Sequence, residues 1–317
     1  MLELIVSRLT SEAEGVRGIE LRRPCGGALP AFTAGAHIDV HLPGGIVRQY
    51  SLCNDPAETH RYCLGVGLAP ASRGGSQYVH AGLREGDPLT VSMPRSLFGI
   101  DASATAHVFI AGGIGITPVL SMIRWCEANG RPWKLLYCMR SRQRAAYLDV
   151  LSRYGERVQL HVDDESRGEL ADLSAFLGAL ADGSHVYCCG PSPLMDAVAA
   201  TAEAAGVPRA ATHFERFSAE PRQASASAEP AFTVILHRHG GRFMVPAGST
   251  ILETLEQNGV PLPFACREGL CRSCEVPLLS GMADHRDHVL SDAEREANMA
   301  IMICVSRALT PELELDI

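Results

Sequence analysis

The sequence predicts a multidomain protein, in which an antiparallel β-barrel is followed by an α/β domain with a doubly wound parallel sheet and then by a small α+β domain. Short alternating segments separated by turns fill roughly the first hundred residues. From about His107, apolar strand segments alternate with helical stretches, which is typical of parallel βαβ units. A small, polar stretch with proline near both ends, 218–230, then precedes a C-terminal part with its own pattern.

Individual elements follow the same logic. In the barrel, 37–42 alternates with period two, 61–66 and 89–92 are further strand candidates, and 43–45 and 85–88 are turn signals. The α/β part is predicted to contain strands at 108–111, 135–138, 158–162 and 186–189 and helical stretches at 117–128, 144–153, 170–180 and 194–205. The last part begins with a hairpin, 232–236 and 242–245, and a helix at 250–257. We therefore place the domains at 1–101, 102–217 and 231–317, with 218–230 as a linker.

Composition excludes several classes of function. The 317 residues are 46% hydrophobic and 20% charged, with a net charge of −8, which is typical of a soluble enzyme. This balance argues against nucleic acid as a partner, because binding phosphates needs clustered Lys and Arg. We find no signal peptide, and the nearly apolar run 108–123 is short and interrupted by glycine and proline. We expect a cytoplasmic protein without a membrane partner, whose eleven cysteines are ligands or free thiols.

Four cysteines carry the sharpest signal. Cys266, Cys271 and Cys274 have the spacing C-x4-C-x2-C, and Cys304 follows, which matches the plant-type [2Fe–2S] loop. The alternatives are a zinc site, which usually contains a second close cysteine pair, or buried free thiols. Residues 262–275 resemble the cluster loop of plant-type ferredoxins, which implies a β-grasp domain. The family usually has glycine where this chain has Arg272, whose Cβ disfavours a positive φ and whose side chain is a candidate for a docking surface.

A second motif resembles the R-x-Y-S signature of the ferredoxin reductase superfamily. It consists of Arg48-Gln49-Tyr50-Ser51 in the barrel part, and Arg73-Gly74-Gly75-Ser76 follows it along the chain. Arginine can clamp a phosphate, and a glycine turn before a helix lets backbone N–H groups approach an anion. The alternative is a strand with a surface arginine and a plain turn. The resemblance implies FMN rather than FAD, with Tyr50 against the isoalloxazine, Ser51 at flavin N5, and Leu52 and Val66 as further contacts.

Two motifs in the α/β part predict a nicotinamide site. The turn containing Gly112, Gly113, Thr117 and Pro118 joins a strand to a helix, where glycines and the helix dipole favour a pyrophosphate. Cys189-Gly190-Pro191 with Met195 resembles the C-G-P…M motif of the same superfamily, which implies that Cys189 lies beside nicotinamide C4. Glu215 and Phe217 resemble its closing carboxylate and aromatic, which implies that they lie over the flavin. The alternatives are tight turns, a buried thiol and packing at a domain junction.

The choice of nicotinamide cofactor depends on the arginines Arg140, Arg142 and Arg144, which follow a predicted strand. Arginine at such a position can bind the 2′-phosphate of NADPH, and the alternative is a solvated basic face. The order of the motifs resembles the phthalate dioxygenase reductase and vanillate O-demethylase reductase family across essentially the whole chain. That resemblance favours NADH and includes Arg140 among the cofactor contacts.

The family resemblance implies a reaction sequence. Hydride passes from NADH to FMN, and single electrons pass through the [2Fe–2S] cluster to a Rieske-type aromatic oxygenase or demethylase component. Three alternatives remain open at this point. The electrons can serve another acceptor, such as a quaternary-amine oxygenase or a cytochrome. The chain can instead be a non-enzymatic one-electron carrier with a degenerate flavin half, or a zinc-stabilised binding protein.

Overall fold

The computed structural model describes residues 1–178, 180–218 and 229–317. These residues form two compact units, Met1–Arg216 and Phe217–Ile317. Most of the predicted linker, 219–228, lies outside the described residues. Among the residues that are described, no helix has the length and apolar character needed to cross a membrane.

The first unit begins with an antiparallel barrel. Its six strands have the order β4-β3-β6-β1-β2-β5, and a bridge between Leu52 and Leu64 joins the two ends of this sheet. Apolar side chains on the inner face, such as those of Leu4, Ile38 and Val40, form its core. The elements are β1 (Leu2–Ala13), β2 (Val16–Arg22), β3 (His37–Leu42), β4 (Ile46–Ser51), β5 (Tyr62–Gly67), α1 (Gly75–Ala81) and β6 (Pro88–Val91).

A five-stranded parallel sheet completes the first unit. Its order is β11-β10-β7-β8-β9, so the chain leaves β7 in one direction and later returns to its other side as β10. In doubly wound sheets, ligands bind at the carboxyl ends of the strands where the winding direction reverses. The elements are β7 (His107–Gly112), α2 (Ile116–Ala128), β8 (Trp133–Met139), α3 (Leu148–Leu151), β9 (Val158–Val162), α4 (Leu173–Leu177), β10 (His185–Cys189), α5 (Ser192–Ala204) and β11 (Thr212–Glu215).

The second unit is a β-grasp domain. Its mixed sheet has the order β13-β12-β18-β14-β16, with β12 and β18 parallel, and the helix α6 contributes buried residues to the same core. Ser291 and Glu294 form a capping box at the start of α7. The elements are β12 (Phe232–Leu236), β13 (Arg242–Val245), α6 (Ile251–Gln257), β14 (Glu275–Ser280), β15 (Ala283–Asp284), α7 (Asp292–Ala297), β16 (Ala300–Met302), β17 (Arg307–Ala308) and β18 (Glu312–Leu315).

The predicted helix at 144–153 is wrong in its length. The structure has a 3-10 turn at Arg142–Arg144, the short helix α3 and a second 3-10 segment. Tyr147, directly before α3, has φ +64°, a left-handed conformation that a continuous α-helix cannot contain. Its hydroxyl lies 2.5 Å from the place where a Cβ on Gly65 would stand, so Tyr147 packs tightly against the barrel. Packing between barrel and parallel sheet therefore overrides local helix propensity here.

Candidate functional site

The predicted flavin motif lies on β4, where alternation sends its residues to two faces. Arg48 and Tyr50 pair with Val40 and Ile38, while Gln49 and Ser51 pair with Asp39 and His37. Paired residues of an antiparallel sheet share a face, so Arg48 and Tyr50 lie on one face and Gln49 and Ser51 on the other. The Gln49 amide donates to Asp39 at 3.0 Å. The neighbouring predictions, Leu52 and Val66, have buried side chains in the barrel core.

The predicted anion turn, Arg73–Ser76, lies against Arg48. The Arg48 Nη2 donates to the carbonyl oxygen of Arg73 at 2.9 Å, which ties the two motifs together. Gly74 has φ +88°, and a Cβ on Gly75 would lie 2.7 Å from Arg48 Cγ. Glycine is therefore required at both positions, once for the backbone conformation and once for the close approach of the arginine. The Ser76 hydroxyl bonds to the Ser72 hydroxyl at 3.0 Å within the turn.

The two glycine motifs of the parallel sheet meet where its winding direction reverses, between β7 and β10. A Cβ on Gly115 would lie 2.1 Å from the carbonyl oxygen of Cys189, and one on Gly112 would lie 3.1 Å from the Cα of Gly190. These backbones are in contact at the carboxyl ends of adjacent strands, where a doubly wound sheet binds its ligand. Gly115 is the third glycine of the same G-G-I-G run.

Ser51, Cys189 and Glu215, which are far apart in the sequence, come together in the first unit. Cys189 and Glu215 are register partners on β10 and β11, and the Ser51 side chain, which comes from the barrel, lies close enough to the Glu215 carboxyl to oppose the rise of its pKa. Part of the Glu215 residue is solvent-accessible, but its Oε2 atom is buried and has no hydrogen-bond partner among the described residues. Such an orphaned buried oxygen indicates that a further group belongs beside it.

Burial sets the protonation states of this trio. Desolvation raises the pKa of Glu215 from 4.5 to about 8, and the Ser51 hydrogen bond opposes this only partly. Desolvation, and next the charge of Glu215, raise the pKa of the Cys189 thiol well above its usual value. At neutral pH both groups are therefore mainly uncharged. A neutral thiol is a poor nucleophile, so Cys189 is suited to contact with a ring rather than to covalent chemistry.

The remaining predicted contacts differ in their surroundings. Thr117 is buried at the start of α2, next to Pro118, and its hydroxyl donates to the carbonyl oxygen of Ile114 at 3.0 Å. Met195 packs in the apolar layer beneath α5, and Pro191 precedes that helix. Arg140 is exposed just beyond β8. Phe217 belongs to the second unit, with 44% of its surface exposed, and its place over a flavin stays a prediction.

The four predicted cluster cysteines come together in the second unit. Cys266 interacts with Cys271 and Cys304, and Cys304 also interacts with Cys274, closely enough for each to shift the pKa of the others. The Cys266 Sγ accepts backbone N–H groups from Glu268 at 3.3 Å and Leu270 at 3.4 Å. The neighbouring thiols of Cys271 and Cys304, the largest causes, lower the pKa of the Cys266 thiol, which favours a thiolate ligand.

The loop that carries these cysteines depends on close backbone approach. Gly269 has φ +69°, and a Cβ there would lie 2.6 Å from Val305 Cγ2 and 3.0 Å from Asp287 Cα. Within the described part of the chain, no group of three or more His, Cys, Asp or Glu side chains could hold a single metal ion. The four thiols nevertheless interact with one another in this loop region. Four cysteines with this spacing fit a two-iron cluster, which takes two thiolates on each iron, rather than one zinc ion.

Arg272 adopts the left-handed conformation that glycine would favour, with φ +56°. Its Nη2 donates to the carbonyl oxygen of Val289 at 2.8 Å and to Glu294 Oε2 at 2.6 Å, and its Nη1 donates to Glu275. The side chain is 26% exposed. The hypothesis that Arg272 is part of a docking surface is therefore less well supported than a structural role, in which it ties the cluster loop to the start of α7.

Known protein families and solved structures resemble this chain over most of its length. The sequence model of the 2Fe-2S iron-sulfur cluster binding domain matches residues 234–309, and that of the N-terminal domain of dimethylamine monooxygenase subunit DmmA-like proteins matches 91–212. Phenoxybenzoate dioxygenase subunit beta of Ectopseudomonas oleovorans is 46% identical over 100% of this chain and 97% of its own length. Vanillate O-demethylase oxidoreductase of Pseudomonas sp. (strain HR199 / DSM 7063) is 39% identical over 100% of both chains.

A solved structure of phthalate dioxygenase reductase, described as modular for electron transfer from pyridine nucleotides to [2Fe–2S], is 40% identical. It covers 100% of this chain and 98% of its own, with a TM-score of 0.76. The chain belongs to the phthalate dioxygenase reductase and vanillate O-demethylase oxidoreductase family. This reductase is an oxidoreductase by membership of that family, and its 234–309 segment is a [2Fe–2S] domain.

The residues of this reductase fit the cofactors of its family. Four thiols with backbone N–H groups directed at one sulfur suit an iron–sulfur cluster. The buried, unpartnered Oε2 of Glu215 beside Ser51 suits a polar ring edge. The glycine contact between Gly115 and Cys189 leaves bare backbone where a pyrophosphate and a nicotinamide would approach.

Proposed function

We propose that this chain is the NADH-dependent reductase component of a two-component Rieske-type aromatic oxygenase or demethylase. One observation carries the proposal: a neutral Ser51–Glu215–Cys189 site and a four-thiol site occur in one polypeptide. The first suits a two-electron hydride reaction, and the second suits a one-electron carrier. A protein that needs both is one that converts between these two kinds of transfer.

The cofactor contacts follow from this assignment. Bound FMN supplies the conversion of a hydride into two single electrons, and a [2Fe–2S] cluster supplies a one-electron carrier. Arg48 and the turn Arg73–Ser76 would hold the flavin phosphate, since the arginine is already fixed against that turn. The turn Gly112–Gly115 at the start of α2 would hold the NADH pyrophosphate. Cys266, Cys271, Cys274 and Cys304 would hold the two irons.

The residues around the hydride position orient the reacting groups and exclude water. The Cys189 side chain is fully buried and uncharged, so it can contact a nicotinamide ring without attacking it. The buried Glu215 carboxyl, whose pKa is raised to about 8, holds a proton at neutral pH, and the Ser51 hydroxyl lies beside it. A fixed hydroxyl beside a neutral acid gives a proton-holding pair at the place where the resemblance puts flavin N5. No nucleophile is required.

The experiment separates the two halves of the chain with the variant Cys274→Ser. Anaerobic mixing with NADH should bleach the flavin absorbance in wild type and variant at rates within about twofold. Electron delivery to an added oxygenase component should fall by at least about a hundredfold in the variant alone, since one cluster ligand is lost. Cys25→Ser is the matched control, because Cys25 is exposed and outside the cluster loop.

Two outcomes would contradict the proposal. If the purified protein lacked the overlapping absorption bands of a flavin and an iron–sulfur cluster, both cofactors would be absent and the proposal would be wrong. Loss of flavin bleaching in Cys274→Ser would show that hydride transfer to the flavin and electron transfer through the cluster are not separate steps. The oxygenase class is tested by the same assay with candidate acceptors: a Rieske-type aromatic oxygenase should accept electrons faster than a quaternary-amine oxygenase or a cytochrome.

A further inference from the structure

The feature of interest is an arginine pair at the carboxyl end of β8, the second strand of the parallel sheet. Arg140 and Arg142 follow this strand directly. In doubly wound nucleotide-binding sheets, the end of the second strand faces the adenosine ribose, and an arginine there accommodates the 2′-phosphate of NADPH. This segment therefore has the residue type that can bind the 2′-phosphate of NADPH, whereas the family resemblance favours NADH.

The acidic turn that follows β9 lies directly beside these arginines. The parallel ladder continues beyond the strands, because the Asp163 N–H donates to the carbonyl oxygen of Met139 at 2.9 Å and the Asp164 N–H to that of Arg140 at 3.1 Å. Asp163, Asp164 and Glu165 are consecutive and exposed. Three carboxylates are thereby held alongside the segment that would meet a 2′-phosphate.

Glu165 forms a two-pronged ion pair with Arg142. The Arg142 Nε donates to Oε1 at 2.7 Å and its Nη2 to Oε2 at 3.0 Å, so the planar edge of the guanidinium that could grip a phosphate is occupied by a carboxylate. The two side chains are 53% and 52% exposed, so solvent screens the pair and it contributes little to folding. Its consequence is for recognition, because a phosphate dianion would have to displace Glu165 and approach the other two carboxylates.

We propose that Glu165 is a specificity-determining residue, which occupies Arg142 and so makes the reductase select NADH over NADPH. Glu165 acts through Arg142 and is a positioning residue. The inference rests on the proposed function, in which a nicotinamide cofactor reduces the flavin. NADH has only a 2′-hydroxyl, so it does not compete for the guanidinium and meets no repulsion from the acidic turn.

The test is anaerobic stopped-flow reduction of the flavin of the holoenzyme by NADH and by NADPH. Glu165→Gln removes the charge and keeps the shape of the side chain. We expect the apparent second-order rate constant for NADPH to rise about tenfold, mainly through tighter binding, with that for NADH unchanged within about twofold. The gain should shrink as salt is added, since an exposed charge interaction is screened.

The double variant Arg142→Gln with Glu165→Gln decides whether Arg142 carries the effect. It should lose most of the NADPH gain, and Arg142→Gln alone should change neither cofactor by more than about twofold. Glu169→Gln is the matched control, because Glu169 is an exposed acid in the same loop. Adenosine 2′,5′-bisphosphate, which carries the phosphate without a hydride, should compete with NADH about tenfold better in Glu165→Gln than in wild type.

Three results overturn the inference. These are an unchanged NADPH to NADH ratio in Glu165→Gln, an equal gain in Glu169→Gln, and a gain that persists without Arg142. Failure of the proposed function would look different, because NADH would then not reduce the flavin of the wild-type protein at all.

Discussion

The buried carboxyl of Glu215 gives the first unit a pH dependence that Glu215→Gln should remove. Its folded pKa of about 8 exceeds the 4.5 expected in the unfolded chain. Below pH 4.5 both states are protonated, so burial of the neutral acid carries no ionisation penalty. As pH rises from 4.5 to 8, only the unfolded chain releases its proton, and stability falls by about 1.4 kcal/mol per pH unit. Over the full window this one group accounts for a loss of about 5 kcal/mol.

The assay is urea unfolding of flavin-free protein, because a bound flavin would add its own contacts at Ser51. Both tryptophans of the chain, Trp125 and Trp133, lie in the first unit, so their fluorescence follows that unit separately from the cluster domain. The free energy of unfolding of Glu215→Gln minus that of wild type should increase steadily between pH 5 and pH 8 and then level off. The constant cost of altering the Ser51 hydrogen bond cancels in this change with pH. A difference that stays flat across the window would refute the assigned burial of the carboxyl.

Three further predictions concern the other sites. Gly115→Ala should slow flavin reduction by NADH at least about tenfold, measured by stopped-flow absorbance. It should also lower the stability of the first unit by about 1–3 kcal/mol, measured by thermal unfolding, because the added Cβ would meet the Cys189 backbone. Arg48→Gln should weaken flavin retention about tenfold or more, measured as the fluorescence of released flavin after gel filtration, and unchanged retention would contradict the phosphate assignment. Arg272→Ala should destabilise the cluster domain by about 1–2 kcal/mol, measured by urea unfolding followed through visible absorbance. Arg272→Gly should recover about 1 kcal/mol of this loss, because glycine relieves the strain of the positive φ. Equal stability of the wild type and both variants would rule out the tie to α7.

Strands whose apolar residues clearly alternate were predictable from sequence, and strands that are partly buried on both faces were not. The strand His37–Leu42 is confirmed to the residue, because Ile38, Val40 and Leu42 alternate into the barrel core. The opening hairpin of β1 and β2 was missed. In β1 only Leu4 and Val6 are fully buried and most other residues are half-exposed, so twelve residues of strand carry almost no period.

The cluster site was more predictable than the hydride site because its ligands are local. Cys266, Cys271 and Cys274 are held by one loop, and spacing alone specifies how they can wrap a cluster. Ser51 and Glu215 belong to different sheets, and no periodicity relates them. They come together only because the barrel packs against the parallel sheet, at contacts such as Tyr147 on Gly65. The family resemblance supplied both residues, but the raised pKa of Glu215 could come only from the packed structure.

Arginines near a nucleotide site are ambiguous in sequence for a similar reason. The arginines after β8 have the residue type that can bind a 2′-phosphate, but the same residues can also form a solvated basic face. Whether that charge is available depends on Glu165, which follows the next strand and reaches Arg142 only because β8 and β9 run in parallel and end together. The ladder places acidic turn and basic turn at the same edge of the sheet. If the proposed cofactor site is correct, topology rather than residue content decides the sign of the field that the adenosine end of the cofactor would meet.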